Sequence, residues 1–171
     1  MRTQIIFLSI ITALLSVSIF AQKQSPSNFV QNFYKFHQLN LDPIVELSVY
    51  EKWFSDDLNK LLRYELRREK EFLDKNPTFK PYFGDGISFI PSDECFKGEK
   101  FIKHVFKTDA VVTKRNKTTV KINFYYPKVC GGNFVDFRQV ELIKNKDGWL
   151  INDLIYSDGS RLSKDLQREK Y

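Results

Sequence analysis

The sequence predicts a single α+β domain with its helices in the N-terminal half and an antiparallel sheet in the C-terminal half. Three observations carry that expectation. Apolar residues recur every three or four positions before residue 76, and every second position after residue 100. The chain has 171 residues, which argues against two full domains. It is 42% hydrophobic, 28% charged and 15% aromatic, with 16 Phe, which excludes a disordered or collagen-like chain and supplies one bulky core. Helices followed by strands is the α+β order, and the apolar face of a lone sheet must be covered by those helices. The economical arrangement is a curved sheet wrapped around the helices as a cone with one open end.

Residues 1–21 read as an address. They open with one base, Arg2, run through about 16 mostly apolar residues and close on Ala21 before Gln22-Lys23-Gln24. This predicts a signal peptide cleaved after Ala21 and a periplasmic or secreted protein. The alternative, an uncleaved anchor, would need roughly 20 apolar residues to span a bilayer. The mature part, 22–171, forms one domain with a net charge of about +5, against +6 for the whole chain. In an exported protein this positive balance points to a solvated surface or to anionic envelope polymers, and no nucleic-acid partner is expected.

Ser25-Pro26-Ser27 is a helix entry, with Ser25 or Ser27 as cap and Pro26 in the first turn. Phe29, Phe33 and Phe36, with Val30 and Tyr34, form the apolar stripe of a helix running to about residue 41, stopped by Asp42-Pro43. A second helical patch covers 44–54. Ser55 followed by Asp56 and Asp57 then caps a third helix, whose buried face is Leu58, Leu61, Leu62, Leu66 and Phe72 or Leu73. Its outer face, Arg63, Arg67, Arg68, Glu69, Lys70 and Glu71, reads as solvated charge. Asn76-Pro77 ends it.

Residues 80–100 form a connection rich in aromatics and turn residues, longer than a plain link requires, and long loops are where contacts with ligands or partners gather. From Phe101 onward the period is two. Ile102, His104 and Phe106 alternate with charged or smaller residues, Arg115-Asn116-Lys117 makes a hairpin turn, and Val120, Ile122, Phe124 and Tyr126 mark the clearest strand. A strand over 134–143 and the turn Asn145-Lys146-Asp147-Gly148 lead to a last strand carrying Trp149, Ile151 and Ile155, with Asp153 as an alternating polar residue. Leu162 and Leu166 belong to a short C-terminal helix.

Cys95 and Cys130 are the only thiols, and in an oxidising compartment an even count favours a disulfide over two buried free thiols. The chain lacks Cys-x-x-Cys, His-Glu-x-x-His, Gly-x-Ser-x-Gly and a phosphate-binding Gly-rich loop, so no catalytic residue, cofactor or metal is expected. Asn116-Lys117-Thr118 fits a glycosylation pattern that matters only in a eukaryotic secretory route. The residues to watch for a pocket or a partner are Tyr34, Tyr82, Phe83, Phe89 and Tyr126. Acid–base chemistry, if present, would draw on Tyr34, His37, His104, Asp109, Tyr125, Tyr126, Asp136 and Asp153.

Four segments carry a resemblance to a known family: Phe29-Val30-Gln31-Asn32-Phe33-Tyr34, Trp53-Phe54-Ser55-Asp56-Asp57-Leu58, the Gly84-Asp85 loop, and the late strand Asp147-Gly148-Trp149-Leu150-Ile151-Asn152-Asp153-Leu154-Ile155-Tyr156. On these the mature chain resembles the NTF2-like (cystatin-like) superfamily, and more narrowly the DUF3828 group of exported bacterial proteins. The resemblance implies a cone of helices against a curved antiparallel sheet, and no particular reaction. In one place the chain departs from the group, since Gly86 stands where the family loop carries Pro. The expected function is an exported, non-catalytic domain that binds another cell-envelope protein or a small apolar ligand. Alternatives are a small pocket enzyme of the isomerase or hydratase kind, and immunity against a secreted toxin.

Overall fold

The computed structural model describes residues 24–39, 46–84, 86–91, 95–98, 100–115 and 117–168. The leader over 1–21, the helix stop at Asp42-Pro43, Asp85 of the family-like loop and Asn116 of the hairpin and glycosylation pattern lie outside the described residues.

Helix α1 (Pro26–His37) begins where expected. The Ser25 hydroxyl accepts the Asn28 N–H at 3.2 Å, and Pro26 occupies the first turn, where its missing N–H costs nothing. Phe29, Val30, Phe33 and Tyr34 are its buried face. The helix stops at His37, short of the expected residue 41, and Leu39 beyond it is exposed. The patch expected over 44–54 is a single turn, α2 (Leu47–Tyr50), continued by a 3-10 turn (Glu51–Trp53). Phe54 then leaves in extended conformation and bridges in parallel to Ile151, which buries its ring and frees Ser55 to cap the next helix.

Helix α3 (Asp56–Lys75) has the Ser55 hydroxyl accepting the Leu58 N–H at 3.2 Å and two aspartates in its first turn, where they favour the helix dipole. Leu58 and Leu62 are buried and Leu61 and Leu66 partly so, as the stripe requires, while Leu73 is exposed. The outer face departs from expectation at Glu69, which is buried because its Oε1 accepts the Phe83 N–H at 3.0 Å. The long connection therefore lies against the helix. Within that connection Gly86 has φ +86°, a conformation closed to proline, whose ring holds φ near −65°.

A two-residue hairpin, β1 (Phe96–Lys97) with β2 (Lys100–Phe101), precedes the main sheet. That sheet holds β3 (Val105–Lys114), β4 (Lys117–Tyr125), β5 (Phe134–Lys144) and β6 (Trp149–Ile155), all antiparallel and in chain order. The turn between β5 and β6 is built by Asn145, whose Oδ1 accepts the N–H groups of Asp147 and Gly148, with Gly148 at φ +142°. The helix-covered inner face is set by register: Thr108, Ile122 and Arg138 form one row, Phe106, Phe124 and Asp136 the next.

The last strand corrects the expected alternation. Glu141 pairs with Asp153 but Leu142 pairs with Ile151, so Asn152 is an extra residue. This bulge shifts the phase of β6. Leu154, in place of Ile155, enters the core, and Asp153 joins Glu141 on the outer face. Helix α4 (Leu162–Asp165) then places Leu162 and Leu166 in the core as expected.

Phe33 is the hub of the interior, with the rings of Tyr34, Tyr50, Trp53, Phe54 and Phe89 at 5.3–6.3 Å. Cys95 and Cys130 are joined in a disulfide with their Cα atoms 6.2 Å apart. It ties the long connection to a 3-10 turn (Lys128–Cys130) between β4 and β5, and closing this loop is worth about 3–4 kcal/mol. Among the described residues no helix is long and apolar enough to cross a membrane.

Candidate functional site

Polar chemistry gathers in three places: one end of the inner face, one end of the outer face, and a set of exposed apolar side chains beside the disulfide.

At the inner end, Tyr34 reaches down from α1 with its ring 5.4 Å from Phe124 and 5.7 Å from Phe106. It is 0% exposed and its hydroxyl has no hydrogen-bond partner among the described residues. Burial drives its acidity far below that of an ordinary tyrosine, against the pull of the Arg138 charge. Arg138 is itself buried. Its Nε donates to the Ser88 carbonyl at 3.3 Å, Nη2 to the Ser88 hydroxyl at 3.3 Å, and Nη1 to the Phe137 carbonyl at 2.9 Å and to the Asp136 carboxylate. The Tyr156 ring lies 5.2 Å from its guanidinium carbon.

Burial alone would raise the Asp136 pKa. Hydrogen bonds from Arg138, Ser157 and the Phe137 N–H reverse this and hold its carboxyl below the usual carboxylate range. The charged pair on the inner face is thus internally compensated. His37, one helical turn from Tyr34, has Nδ1 2.7 Å from the Tyr50 hydroxyl and its ring 5.1 Å from Phe89. Burial lowers its pKa from 6.5 to about 4, so it is neutral at neutral pH. An acid–base pocket needs a carboxyl whose pKa is raised towards neutrality. Asp136 is shifted the opposite way.

At the hairpin end of the outer face, Glu141 and Asp153 face each other across β5 and β6. Arg161 bridges them, with Nε 2.8 Å from Asp153 Oδ2 and Nη2 3.1 Å from Glu141 Oε2. Lys117 Nζ and Asn152 Nδ2 each donate to Glu141 Oε1 at 2.8 Å, and Ser163 donates to Asp153 through its hydroxyl at 2.7 Å and its N–H at 2.9 Å. Burial would raise the Glu141 pKa, but hydrogen bonds from Lys117, Asn152 and Arg161 hold it low. With so many donors satisfied, this cluster fastens the C-terminal segment to the sheet.

The disulfide end carries the opposite chemistry. Val105, Tyr125 and Phe134 lie side by side across β3, β4 and β5, with the Tyr125 and Phe134 rings 5.8 Å apart. Val105 is 46% and Phe134 54% exposed. Phe96 and Val129, the chain neighbours of Cys95 and Cys130, are also exposed, so the bridge holds two more apolar side chains at this end. Lys107 Nζ lies 5.6 Å from the Tyr125 ring, and Lys97 and Lys128, within two residues of Cys95 and Cys130, are exposed. A monomer seldom leaves adjacent large apolar side chains open to water without a partner for them.

The residues singled out from sequence separate accordingly. Tyr34 and Phe89 are interior, and Phe83 is buried with its N–H held by Glu69, so Phe83 and Phe89 present no surface to a partner. Tyr82 is exposed, its ring 4.9 Å from Phe83. Tyr126 is half-buried on the inner face, 5.7 Å from the buried His104 ring. Asp109 is an exposed residue accepting from Asn123 at 3.3 Å, and Tyr125 belongs to the outer row. Sequence reasoning missed Arg138, Tyr156, Glu141 and Arg161. The signal was present for Arg138 and Asp136, since counting by two from Val140 places both in the core-facing phase of β5. Among the described residues no three His, Cys, Asp or Glu side chains are grouped as a metal would require. No family model, curated protein or solved structure matches the chain.

Proposed function

We propose that this chain is an exported NTF2-like domain, of the DUF3828 kind, whose mature part, 22–171, acts by binding another cell-envelope protein. The observation that carries the reading is the Val105–Tyr125–Phe134 row beside the disulfide: apolar, with Val105 and Phe134 exposed around a half-buried Tyr125, and with Lys107 against the Tyr125 ring. Such a surface suits a partner with an apolar centre and an acidic rim. Two further features support it. The space between helices and sheet is filled by Phe33, Phe54, Phe89 and Phe124, and the carboxyl that faces it is neutralised by Arg138. The disulfide suits an oxidising compartment.

The test is a photo-crosslinking residue at position 134 in the full-length protein, expressed in its own cells, with position 60 on α3 as control. A discrete adduct from 134 alone, sited on an envelope protein by mass spectrometry, is the expected result. Equal or no adducts from both positions would overturn the partner. Sequencing the mature N-terminus checks export separately: Gln22 is expected, and an intact Met1 would contradict it.

A second reading, a small ligand inside the cone, rests on the Tyr34 hydroxyl, which feels the Arg138 charge and has no hydrogen-bond partner among the described residues. It predicts that Tyr34→Phe alters ligand affinity while leaving the 134 adduct intact.

A further inference from the structure

The end of the sheet opposite the disulfide carries a cleft of about 630 Å³ between the start of α1 and the β5–β6 hairpin. Its walls include Lys52, Lys144, Lys146, Asn145, Gln24 and Trp149. A cleft of this size holds a molecule of several rings, far more than a single inorganic anion.

Two of the three ammonium groups, those of Lys52 and Lys144, face aromatic rings. Lys144 Nζ lies 5.3 Å from the Trp149 ring, and Lys52 Nζ lies 5.1 Å from the Phe36 ring and 5.9 Å from that of Trp53. Among the described residues none of the three makes an ion pair with a carboxylate, whereas Lys60, Lys117 and Lys121 each do. A ring face attracts an ammonium without the short N–H···O bonds of a carboxylate partner. The N–H donors of Lys52 and Lys144 thus remain available for oxygen acceptors. Asp147 also lines the cleft and offsets one of the three charges, leaving a positive site.

The walls are rigid where it matters. Trp149 Nε1 donates to the Gln24 carbonyl at 2.9 Å, tying the start of α1 to the hairpin, and Asn145 Oδ1 holds the turn through two N–H groups. The NH2 of Asn145 and the side-chain amide of Gln24 are suited to hydroxyls. Exposed lysines beside aromatic rings, with amides, around a concave space of this volume match an oligosaccharide bearing carboxylate, phosphate or sulfate groups. A flat lipid surface would not fill a concave space of this volume.

We infer that this cleft binds an anionic saccharide chain, at a site separate from the disulfide-end row. The inference does not depend on the partner proposed above, and losing the position-134 adduct would leave it standing.

The test is titration of the mature protein, followed by tryptophan fluorescence at low ionic strength, with four probes: oligogalacturonate, a sulfated heparin oligosaccharide, neutral maltopentaose, and phosphatidylglycerol vesicles. The variant Lys52→Gln/Lys144→Gln/Lys146→Gln is compared with Lys35→Gln/Lys70→Gln/Lys114→Gln, which removes the same charge from other exposed positions. At least one anionic saccharide should bind, maltopentaose should not, and the cleft variant should bind about tenfold or more weakly while the control changes less than about twofold. The carboxylated and sulfated arms tell which acidic group the lysines prefer. Three results would overturn the inference: no saccharide binding, equal weakening in both variants, or vesicle binding with the same dependence on the cleft lysines and none of saccharide.

Discussion

The two ends of the sheet's outer face share β4 and β5, one adding β6 and the other β3, and do opposite things. At the hairpin end, Glu141 and Asp153 are buried, and Lys117, Arg161, Asn152 and Ser163 answer them atom by atom. At the disulfide end, Val105 and Phe134 stand in water on either side of the half-buried Tyr125, with Lys107 against the Tyr125 ring. The first arrangement is closed: buried polar groups have their partners, and nothing is left to recruit. The second is open, since its apolar area has no covering element among the described residues. The difference teaches where to look for function. A satisfied buried network secures the fold, while an unsatisfied surface marks what the fold presents.

Four perturbations break or sharpen this contrast. The largest effect is expected from Asp153→Ala, which strips Arg161, the Ser163 hydroxyl and N–H, and the Leu154 N–H of their acceptor. Removing one member of a buried ion pair costs about 3–5 kcal/mol, so urea denaturation of the mature protein should show a loss of that size. If the loss is no greater than for Phe134→Ser, the closed end is not closed.

Next comes the bridge. Cys95→Ser/Cys130→Ser should cost about 3–4 kcal/mol by the same measurement, and it should also weaken the position-134 adduct, because Phe96 and Val129 are fixed by the disulfide.

The pH profile gives a third, intermediate effect. The folded pKa of His37, about 4, lies below its ordinary value of 6.5, so the unfolded chain takes up the proton first. Stability is then complete above pH 6.5 and falls as the pH drops towards 4, by on the order of 2–3 kcal/mol. Asp136 and Glu141 are also depressed, so their contribution is present above the ordinary carboxylate range and fades as pH falls through and below it. Melting temperature against pH should therefore show two limbs. His37→Gln should flatten the upper limb and leave the lower one, and an unchanged upper limb would refute the assignment. The smallest effect on stability, within about 0.5 kcal/mol, is expected at the open end for Phe134→Ser.

Much of this was legible in the residues. Ser25 and Ser55 announced their helices because a capping side chain acts within three residues. Val120, Ile122 and Phe124 announced β4 because one face of that strand is wholly buried. The α+β order and the Cys95–Cys130 bond also follow from local pattern and pairing. What was not legible depends on contacts far apart in sequence. Glu69 looks like one more solvated charge until Phe83, fourteen residues on, supplies its N–H. The bulge at Asn152 reverses the phase of β6, and only pairing with β5 reveals it. The exposed row needs three strands in register before Val105, Tyr125 and Phe134 become neighbours. Tyr82, Phe83 and Phe89 drew attention as aromatics on a long loop, yet two of the three serve the core.

The most direct test of the central claim is a paired measurement on Val105→Lys/Phe134→Lys, combining a urea melt with adduct formation from a crosslinker at the adjacent position 125. The account predicts a melt within about 0.5 kcal/mol of the unsubstituted protein and an adduct reduced at least tenfold. A variant that melts normally and still forms the full adduct would contradict it.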